Sequence, residues 1–283
     1  MAAIQQNARH INKGLIDLLY ILGPQAIAND PGLPLRLRNR AQKLPDIHPS
    51  QRQQLTARMQ LQEGHQNSTG SGIGIEHVGT SLQGDLRTLL PSQLALPWDL
   101  FNSRYLRQEL LYRARKGQLA PSLRPMVIIL DVTPPNFGPI EGMTRLAAHI
   151  LATTLLRANI NSLLITTGET VRVHRISRQA DIIEIWTERS VFPADIPQTL
   201  KVAQTLRRTL NQGGNEAGII LLSHSWFGGA NSKYIIMPGL RALFVNYPKQ
   251  QIEPPFGQYC EQYKVLGYKD FSQLPDVLGR LMG

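Results

Sequence analysis

Cysteine is nearly missing from this chain: Cys260 stands alone among 283 residues. An internal disulfide is therefore excluded, and so is any zinc site built on several thiolates. A reducing, cytoplasmic setting is the expectation, with Cys260 a small, partly buried residue. Long hydrophobic runs are missing too. No apolar stretch reaches the roughly 18 residues that a membrane-crossing helix needs, so no membrane insertion is expected. The opening "MAAIQQNARHINKG" has no apolar h-region and does not read as a secretory signal. Acidic residues are in the minority, 20 against 30 lysines and arginines, for a net charge of +10. That excess points to an acidic partner, whether nucleic acid, lipid headgroups or a protein surface. The two densest basic clusters, "RLRNR" at 36–40 and "RYLRQELLYRARKG" at 104–117, lack the interleaved aromatics or glycines of known nucleic-acid modules.

Complete catalytic motifs are equally scarce. No G-x-x-x-x-G-K-[ST] occurs, so the chain is not expected to hydrolyse nucleotide by itself. "GSGIGIEHVG" has closely spaced glycines but no buried strand before it, and reads as linker rather than as a dinucleotide fingerprint. The seven histidines form no H-E-x-x-H or H-x-H pair. "SHSWFGG" at 223–229 invites comparison with the G-x-S-x-G elbow of serine hydrolases, with Ser225 as nucleophile. However, Ser223 and Phe227 stand where the glycines belong, and no histidine follows the serine in the chain. A surface loop with Trp226 as a contact residue is the simpler reading.

The first third of the chain differs from the rest. "NKGLIDLLYIL" spaces Leu15, Ile16, Leu18, Leu19 and Leu22 for a short helix. "NDPGLPLRLRNRAQKLPDIHP", with four prolines, predicts an extended arm. "SQRQQLTARMQLQEG" predicts a polar helix capped by Ser50, and "HQNSTGSGIG" at 65–74 a flexible linker that marks a boundary. Beyond it, "GDLRTLLPSQLALP" predicts a short helix broken near Pro91, and residues 98–117 a long basic helix closed by Gly117. Elements then alternate. Strands are expected at "MVIILD" (126–131), "SLLITT" (162–167), "TVRVHRI", "DIIEIWT", "AGIILLS" (217–223) and "LRALFVNYP" (240–248). Helices are expected at 143–159, in "IPQTLKVAQTLRRTLNQGG" and in "FSQLPDVLGRLM". Such alternation predicts an α/β, Rossmann-like fold: a mostly parallel central sheet flanked by helices, preceded by an N-terminal helical and irregular extension. Ligands of such sheets bind at the carboxyl ends of the strands, where the strand order switches. Asp131 closes the first of these apolar strands.

The stretch that follows it, "LDVTPPNFGP" (130–139), carries a resemblance. Residues 126–282 resemble a von Willebrand factor A domain, in which a strand ends in D-x-S-x-S and a later strand ends near a second aspartate. That resemblance implies a magnesium or manganese ion held by hydroxyl and carboxylate oxygens. Asp131 matches the aspartate and Thr133 the first serine. Pro135 takes the place of the second serine, Ser223 or His224 that of the second aspartate, and Thr199 is a loose match for the loop threonine. "LFNSRYLRQELLYRARKG", "DVTPPNFGP", "RLAAHILA" and "YKVLGYKDFSQLPDVLGRLM" together resemble, over 80–283, the bacterial A domains associated with MoxR-type AAA+ ATPases. These occur in multi-component systems, some tied to biological conflict. The metal site is degenerate on this reading, with only Asp131 and Thr133 left as ligands, and the hydroxyl and carboxylate can instead bond the turn at 134–138.

The expectations are then an extension with linker over 1–75 and an A-type domain over 76–283 that includes the basic helix 98–117. The function expected is a non-enzymatic adaptor. By resemblance its partner is a MoxR-type ATPase, with or without a further effector, and the 1–75 arm wraps a partner or a second subunit. Partner contacts are expected at Pro134, Pro135, Asn136, Phe137, His224, Ser225 and Trp226, with the loops 132–141, 188–197 and 224–231 forming one surface. Arg104, Arg107, Arg113 and Arg115 are expected to dock on an acidic surface. No cofactor is expected apart from the magnesium that the resemblance brings in. Nucleic-acid binding through the basic clusters is the alternative, and serine hydrolysis at Ser225 a second one.

Overall fold

The computed structural model describes residues 13–55, 77–81, 89–107, 109–115, 123–211, 216–229, 234, 236–250 and 252–282. The linker predicted at 65–74 lies outside them. By contact the chain groups into two compact units, one drawn from 1–60 with 123–282 and the other from 61–122. This partition differs from a single boundary at 65–74, because the N-terminal segment belongs to the same unit as the sheet.

That segment is helical. It runs through α1 (Lys13–Asn29), α2 (Leu33–Arg36), α3 (Arg38–Ala41) and α4 (Pro49–Gln54). Helix α1 is interrupted at Gly23 (φ 75°), and Pro24 restarts it. The expected extended arm is thus replaced by short helices that pack on their own unit: Leu18, Leu22 and Ala41 form one buried cluster with Ile183. Burial of these few side chains, roughly 2 kcal/mol each, supplies what local propensity does not. Helix α4 is capped by His48 rather than Ser50. The His48 ring accepts from Ser50 N at 3.3 Å, and Gln51 Oε1 accepts from His48 N at 2.7 Å.

The unit within 61–122 holds β1 (His77–Ser81), α5 (Pro91–Leu94), α6 (Trp98–Leu106) and β2 (Tyr112–Arg115). Strands β1 and β2 pair antiparallel, Thr80 opposite Arg113 and His77 opposite Arg115. The basic helix expected over 98–117 therefore ends at Leu106, and Arg113 and Arg115 lie on a strand. "YRAR" alternates in the period of a strand, and cross-strand pairing overrides its helix propensity. Leu89 and Leu110 are the buried core of this unit, with Phe101 packed on them.

The remaining elements build the sheet: β3 (Met126–Asp131), α7 (Pro139–Arg157), β4 (Ser162–Thr167), β5 (Arg172–Ile176), α8 (Ile183–Thr187), α9 (Ile196–Leu210), β6 (Gly218–His224), β7 (Leu240–Asn246), β8 (Gln262–Gly267) and α10 (Leu274–Met282). The strand order is β5-β4-β3-β6-β7-β8, parallel throughout except for the antiparallel β5 at one edge. Every residue of β3 and β6 is buried, as continuous apolar runs in a doubly covered sheet should be. Two assignments change. "DIIEIWT" is not a strand: Ile182, Ile183, Ile185 and Trp186 are buried by a short helical turn and α8 instead. "QYKVLG", too polar to read as a core strand, becomes the edge strand β8 beside β7. The chain lays down β3, β4 and β5 in one direction, then returns to β3 and adds β6, β7 and β8 on its other side. The carboxyl ends of β3 and β6 therefore flank the switch in strand order, where a crevice opens in folds of this type.

Helix α7 starts sharply. Gly138 (φ 84°) turns the chain, and Pro139 opens the helix without needing an N–H partner. Its buried residues run from Ile140 to Leu155, which makes it the central helix of one face. Helix α9 on α/β packing terms is the partner layer: Ile196, Leu200 and Ala203 join Val127, Ile129, Ile219 and Leu221 in one cluster. Asp195 caps it, accepting from Gln198 N at 3.0 Å.

Candidate functional site

At the switch point the Asp131 side chain is almost wholly enclosed, at 1% exposure. Its Oδ1 accepts from Thr133 N (3.0 Å), Thr133 Oγ1 (2.6 Å) and Thr167 Oγ1 (3.4 Å). Its Oδ2 accepts from Ser223 Oγ at 2.5 Å, and His224 Nε2 lies 3.5 Å away. Thr133 comes from the loop after β3. Thr167 ends β4, in register with Asp131. Ser223 and His224 end β6. One carboxylate thus ties three neighbouring strand ends together.

The His224 ring is oriented by its own turn. Nδ1 accepts from Trp226 N at 3.1 Å, so the proton of the neutral ring sits on Nε2, toward Asp131. Burial lowers the His224 pKa, and the Asp131 charge only partly opposes this. Tyr247 closes the other side. Its OH donates to Pro135 O at 2.5 Å, and burial followed by the Asp131 charge raises its pKa. Asn136 ties the loop inward, donating from Nδ2 to Asp131 O (2.5 Å) and Thr144 Oγ1 (3.1 Å).

A hard divalent cation needs several oxygen ligands and compensating negative charge. Asp131 contributes one carboxylate, and protein donors already occupy both of its oxygens. Pro135 has no side-chain ligand atom. Thr199, the loose match for a third ligand, is buried and donates to Asp195 O of its own helix at 2.7 Å. Among the described residues no three His, Cys, Asp or Glu side chains group as a metal site. The residues present do not fit magnesium: one carboxylate supplies too little negative charge, and the hydroxyls around it are spent donating to its oxygens.

Ser225 is also engaged. It is fully buried, and its hydroxyl donates to Asn246 Oδ1 at 2.6 Å. The only histidine beside it in sequence, His224, turns both ring nitrogens elsewhere. Outside this network lie the groups that face solvent. Pro134 and Pro135 are exposed, while Asn136 is buried. Phe137 is half-buried, with the Arg189 guanidinium 5.5 Å from its ring centroid. Trp226 is 47% exposed, Val191 77% and Phe192 49%. The 188–192 segment reaches the same edge because Ser190 N donates to Val132 O at 2.9 Å and Asp195 N to Gly168 O at 3.2 Å. Of the expected surface loops, 230 and 231 lie outside the described residues.

Behind this edge sits a buried charge cluster that sequence reading missed. Arg145 is 1% exposed. It donates from Nε to Glu141 Oε1 at 3.0 Å, from Nη2 to Glu188 O at 2.7 Å, and from Nη1 to Ile185 O. Arg189 adds a two-pronged contact to the same carboxylate, Nε to Oε1 at 3.0 Å and Nη2 to Oε2 at 3.1 Å. Burial pulls the Arg145 pKa down from its usual value, opposed by Glu141. The i, i+4 spacing of Glu141 and Arg145 was visible in the chain; their burial was not.

Several arginines, including two of the 36–40 cluster, are spent on internal pairs. Arg36 donates to Asp30, Arg40 to Glu184, and Arg52 to Asp17 at 2.6 Å. In the other unit Arg104 Nη1 donates to Gln93 Oε1 at 3.4 Å, and Arg107 follows the end of α6. The sequence expectation had grouped Arg104, Arg107, Arg113 and Arg115 on one helix; here the first two belong to α6 and its end, the last two to β2.

No protein-family profile matches the chain, and no curated protein matches it. Among solved structures, a von Willebrand factor type A protein from Catenulispora acidiphila is similar over 57% of this chain and 42% of its own, at 14% identity and TM-score 0.41. Proximal thread matrix protein 1 from the mussel byssus is similar over 56% and 47%, at 11% identity and TM-score 0.41. The ArnB paralog VWA2 from Sulfolobus acidocaldarius is similar over 56% and 44%, at 12% identity and TM-score 0.37. The chain thus spans less than half the length of each.

Proposed function

We propose that this protein is a non-enzymatic interaction module that recognises a protein partner with the carboxyl edge of its six-stranded sheet. The observation that carries the reading is the contrast at that edge. Asp131, Thr133, Ser223 and Ser225 are buried and hydrogen-bonded to one another or to the frame, while Val191, Phe192 and Trp226 stand outward on the loops they hold. Bonded inward, these polar groups brace the loops that follow the strands. Exposed aromatic and branched side chains on stiffened loops are what a partner surface buries at low entropic cost.

The finer identity of the partner rests on the sequence resemblance carried by 100–117, 131–139, 145–152 and 263–282, which supports a MoxR-type ATPase and a role in a multi-component bacterial system. Binding on this reading requires no metal. The absence of a long apolar helix among the described residues is consistent with a partner met away from the bilayer core.

The test is copurification of the tagged full chain in native complexes, followed by mass spectrometry, for wild type and for Phe192→Asp with Trp226→Asp. The expected result is loss of the major partner from the double variant while its circular dichroism spectrum and melting temperature stay at wild-type values. Retention of that partner at wild-type stoichiometry refutes the assignment of the surface.

A further inference from the structure

Beside the Asp131 loop, at the start of α7, a cavity of about 580 Å³ opens to solvent. Three separate segments wall it: 45–51 from the N-terminal helices, 138–142 from the start of α7, and 268–271 after β8, with Arg189 at its border. The volume falls in the range of roughly 300–1,000 Å³ typical of ligand sites. Pro45, Pro139, Tyr268 and Phe271 are among its lining residues.

The charged residues of its lining are balanced in number, Asp46 and Glu141 against Arg189 and Lys269, but both acids are already paired. Glu141 is shared by two arginines, Arg145 and Arg189, so that cluster keeps one positive charge in excess. Asp46 is paired with Lys13 at 2.5 Å. Lys269 is exposed, has no acidic partner among the described residues, and holds its ammonium 5.4 Å from the centroid of the Tyr268 ring. Arg189 spends Nε and Nη2 on Glu141, which leaves Nη1 as a donor. His48 accepts through Nδ1, which leaves Nε2 as a second.

We propose that this cavity binds a short peptide segment of the partner in which a carboxylate side chain is flanked by apolar residues. The proposal rests on the interaction-module reading and names the chemistry that the partner presents. The carboxylate meets Lys269 and the free edge of Arg189, where charge-assisted bonds are strongest. The flanking apolar side chains cover Pro139, Tyr268 and Phe271. An inorganic anion would leave that apolar wall bare. A nucleic-acid backbone needs a row of unpaired cations, and the cavity has too few.

The probes are acetyl-Phe-Glu-Phe-amide and acetyl-Phe-Gln-Phe-amide, titrated into the ¹⁵N-labelled full chain and followed by NMR. The glutamate probe is expected to shift the amide signals of Gly138, Gly142 and Lys269 to saturation, with the glutamine probe about tenfold weaker. Lys269→Gln changes an exposed side chain and leaves the fold intact. It is expected to weaken the glutamate probe about threefold to tenfold and to leave the glutamine probe unaffected. Equal binding of the two probes, shifts confined to other residues, or the same shifts from sodium phosphate alone each overturn the proposal. Probe binding is read on the isolated chain and partner retention on native complexes, so the cavity and the loop surface can fail independently.

Discussion

His149 makes the stability of this protein depend on pH in a way that can be worked through. It lies within α7 at 1% exposure, with Trp186 Nε1 donating to Nδ1 at 3.4 Å and Nε2 3.1 Å from Leu55 O. The tryptophan can only donate, so Nδ1 accepts and Nε2–H donates to the carbonyl. The ring is neutral, and a second proton on Nδ1 would confront the Trp186 N–H. Burial lowers the pKa from 6.5 to about 4, the Leu55 carbonyl opposing and the Arg157 charge assisting. Because the folded pKa is depressed, the unfolded chain takes up the proton first as pH falls. The stabilisation is complete above the unfolded value and is lost as pH drops through the window from 6.5 to about 4. At about 1.4 kcal/mol per pH unit, that loss approaches 3 kcal/mol.

The perturbation to set against it is His149→Gln. The amide can donate to Leu55 O and accept from Trp186 Nε1, but it does not titrate. Urea unfolding, followed by circular dichroism at a series of pH values, gives the stability of both chains. Carboxylates titrate in both and cancel in the difference. The variant is expected to be the less stable chain near neutrality because its shape fits less well. Its deficit should then shrink, or reverse, by roughly 3 kcal/mol on going toward pH 4. A deficit that stays constant with pH would show that the imidazole is not held neutral by burial, and the tautomer argument would fall with it.

Three further outcomes follow from the same geometry. Asp131→Ala leaves buried hydroxyls of Thr133 and Ser223 without their acceptor and should cost on the order of 3 kcal/mol in urea unfolding; Asp131→Asn should cost less, and equal losses would argue against the carboxylate as the organising acceptor. Millimolar magnesium chloride should leave the melting temperature of the full chain where it is, whereas a rise that EDTA reverses would contradict the fit argument at Asp131. Gly228→Ala should destabilise by about 2 kcal/mol, since Gly228 has φ 84° and an added Cβ would meet the Phe256 ring at 2.7 Å; Gly229→Ala, at φ 65° with nothing within 4 Å, should cost less, and thermal melts of the pair would show whether the ring contact matters.

The apolar runs at 126–131, 162–167 and 217–223 identified central strands because a strand covered on both faces has no polar side to show. The same logic explains two errors. "QYKVLG" is a real strand, but at the edge of the sheet, where Gln262 and Lys264 need not be buried. "DIIEIWT" has the apolar content of a strand, yet Ile182, Ile183, Ile185 and Trp186 are buried through helical turns, with Ile183 in the cluster of α1 and Trp186 bonded to His149 of α7. At the site, Asp131 and Ser223 or His224 were legible as the ends of buried strands. Thr167 carried a signal as well, as the last residue of an apolar strand, but only the pairing register puts it opposite Asp131. Arg189 was read only as part of the loop 188–197 and Tyr247 only as part of a strand over 240–248; their contacts at the edge were not legible, because each side chain reaches it from beyond the end of its element.

Composition and periodicity were enough to determine that this chain makes a sheet sandwiched by helices, with an acid at a strand tip. The tertiary structure decided what that acid does. Whether Asp131 faces a cation or a ring of donors depends on which strand ends stand beside it, and strand order is set by nonlocal packing across 92 residues, from Asp131 to Ser223. It also decided that the N-terminal segment belongs to the sheet's own unit: Leu18, Leu22 and Ala41 have too little apolar surface to fold alone, and join Ile183 in one buried cluster.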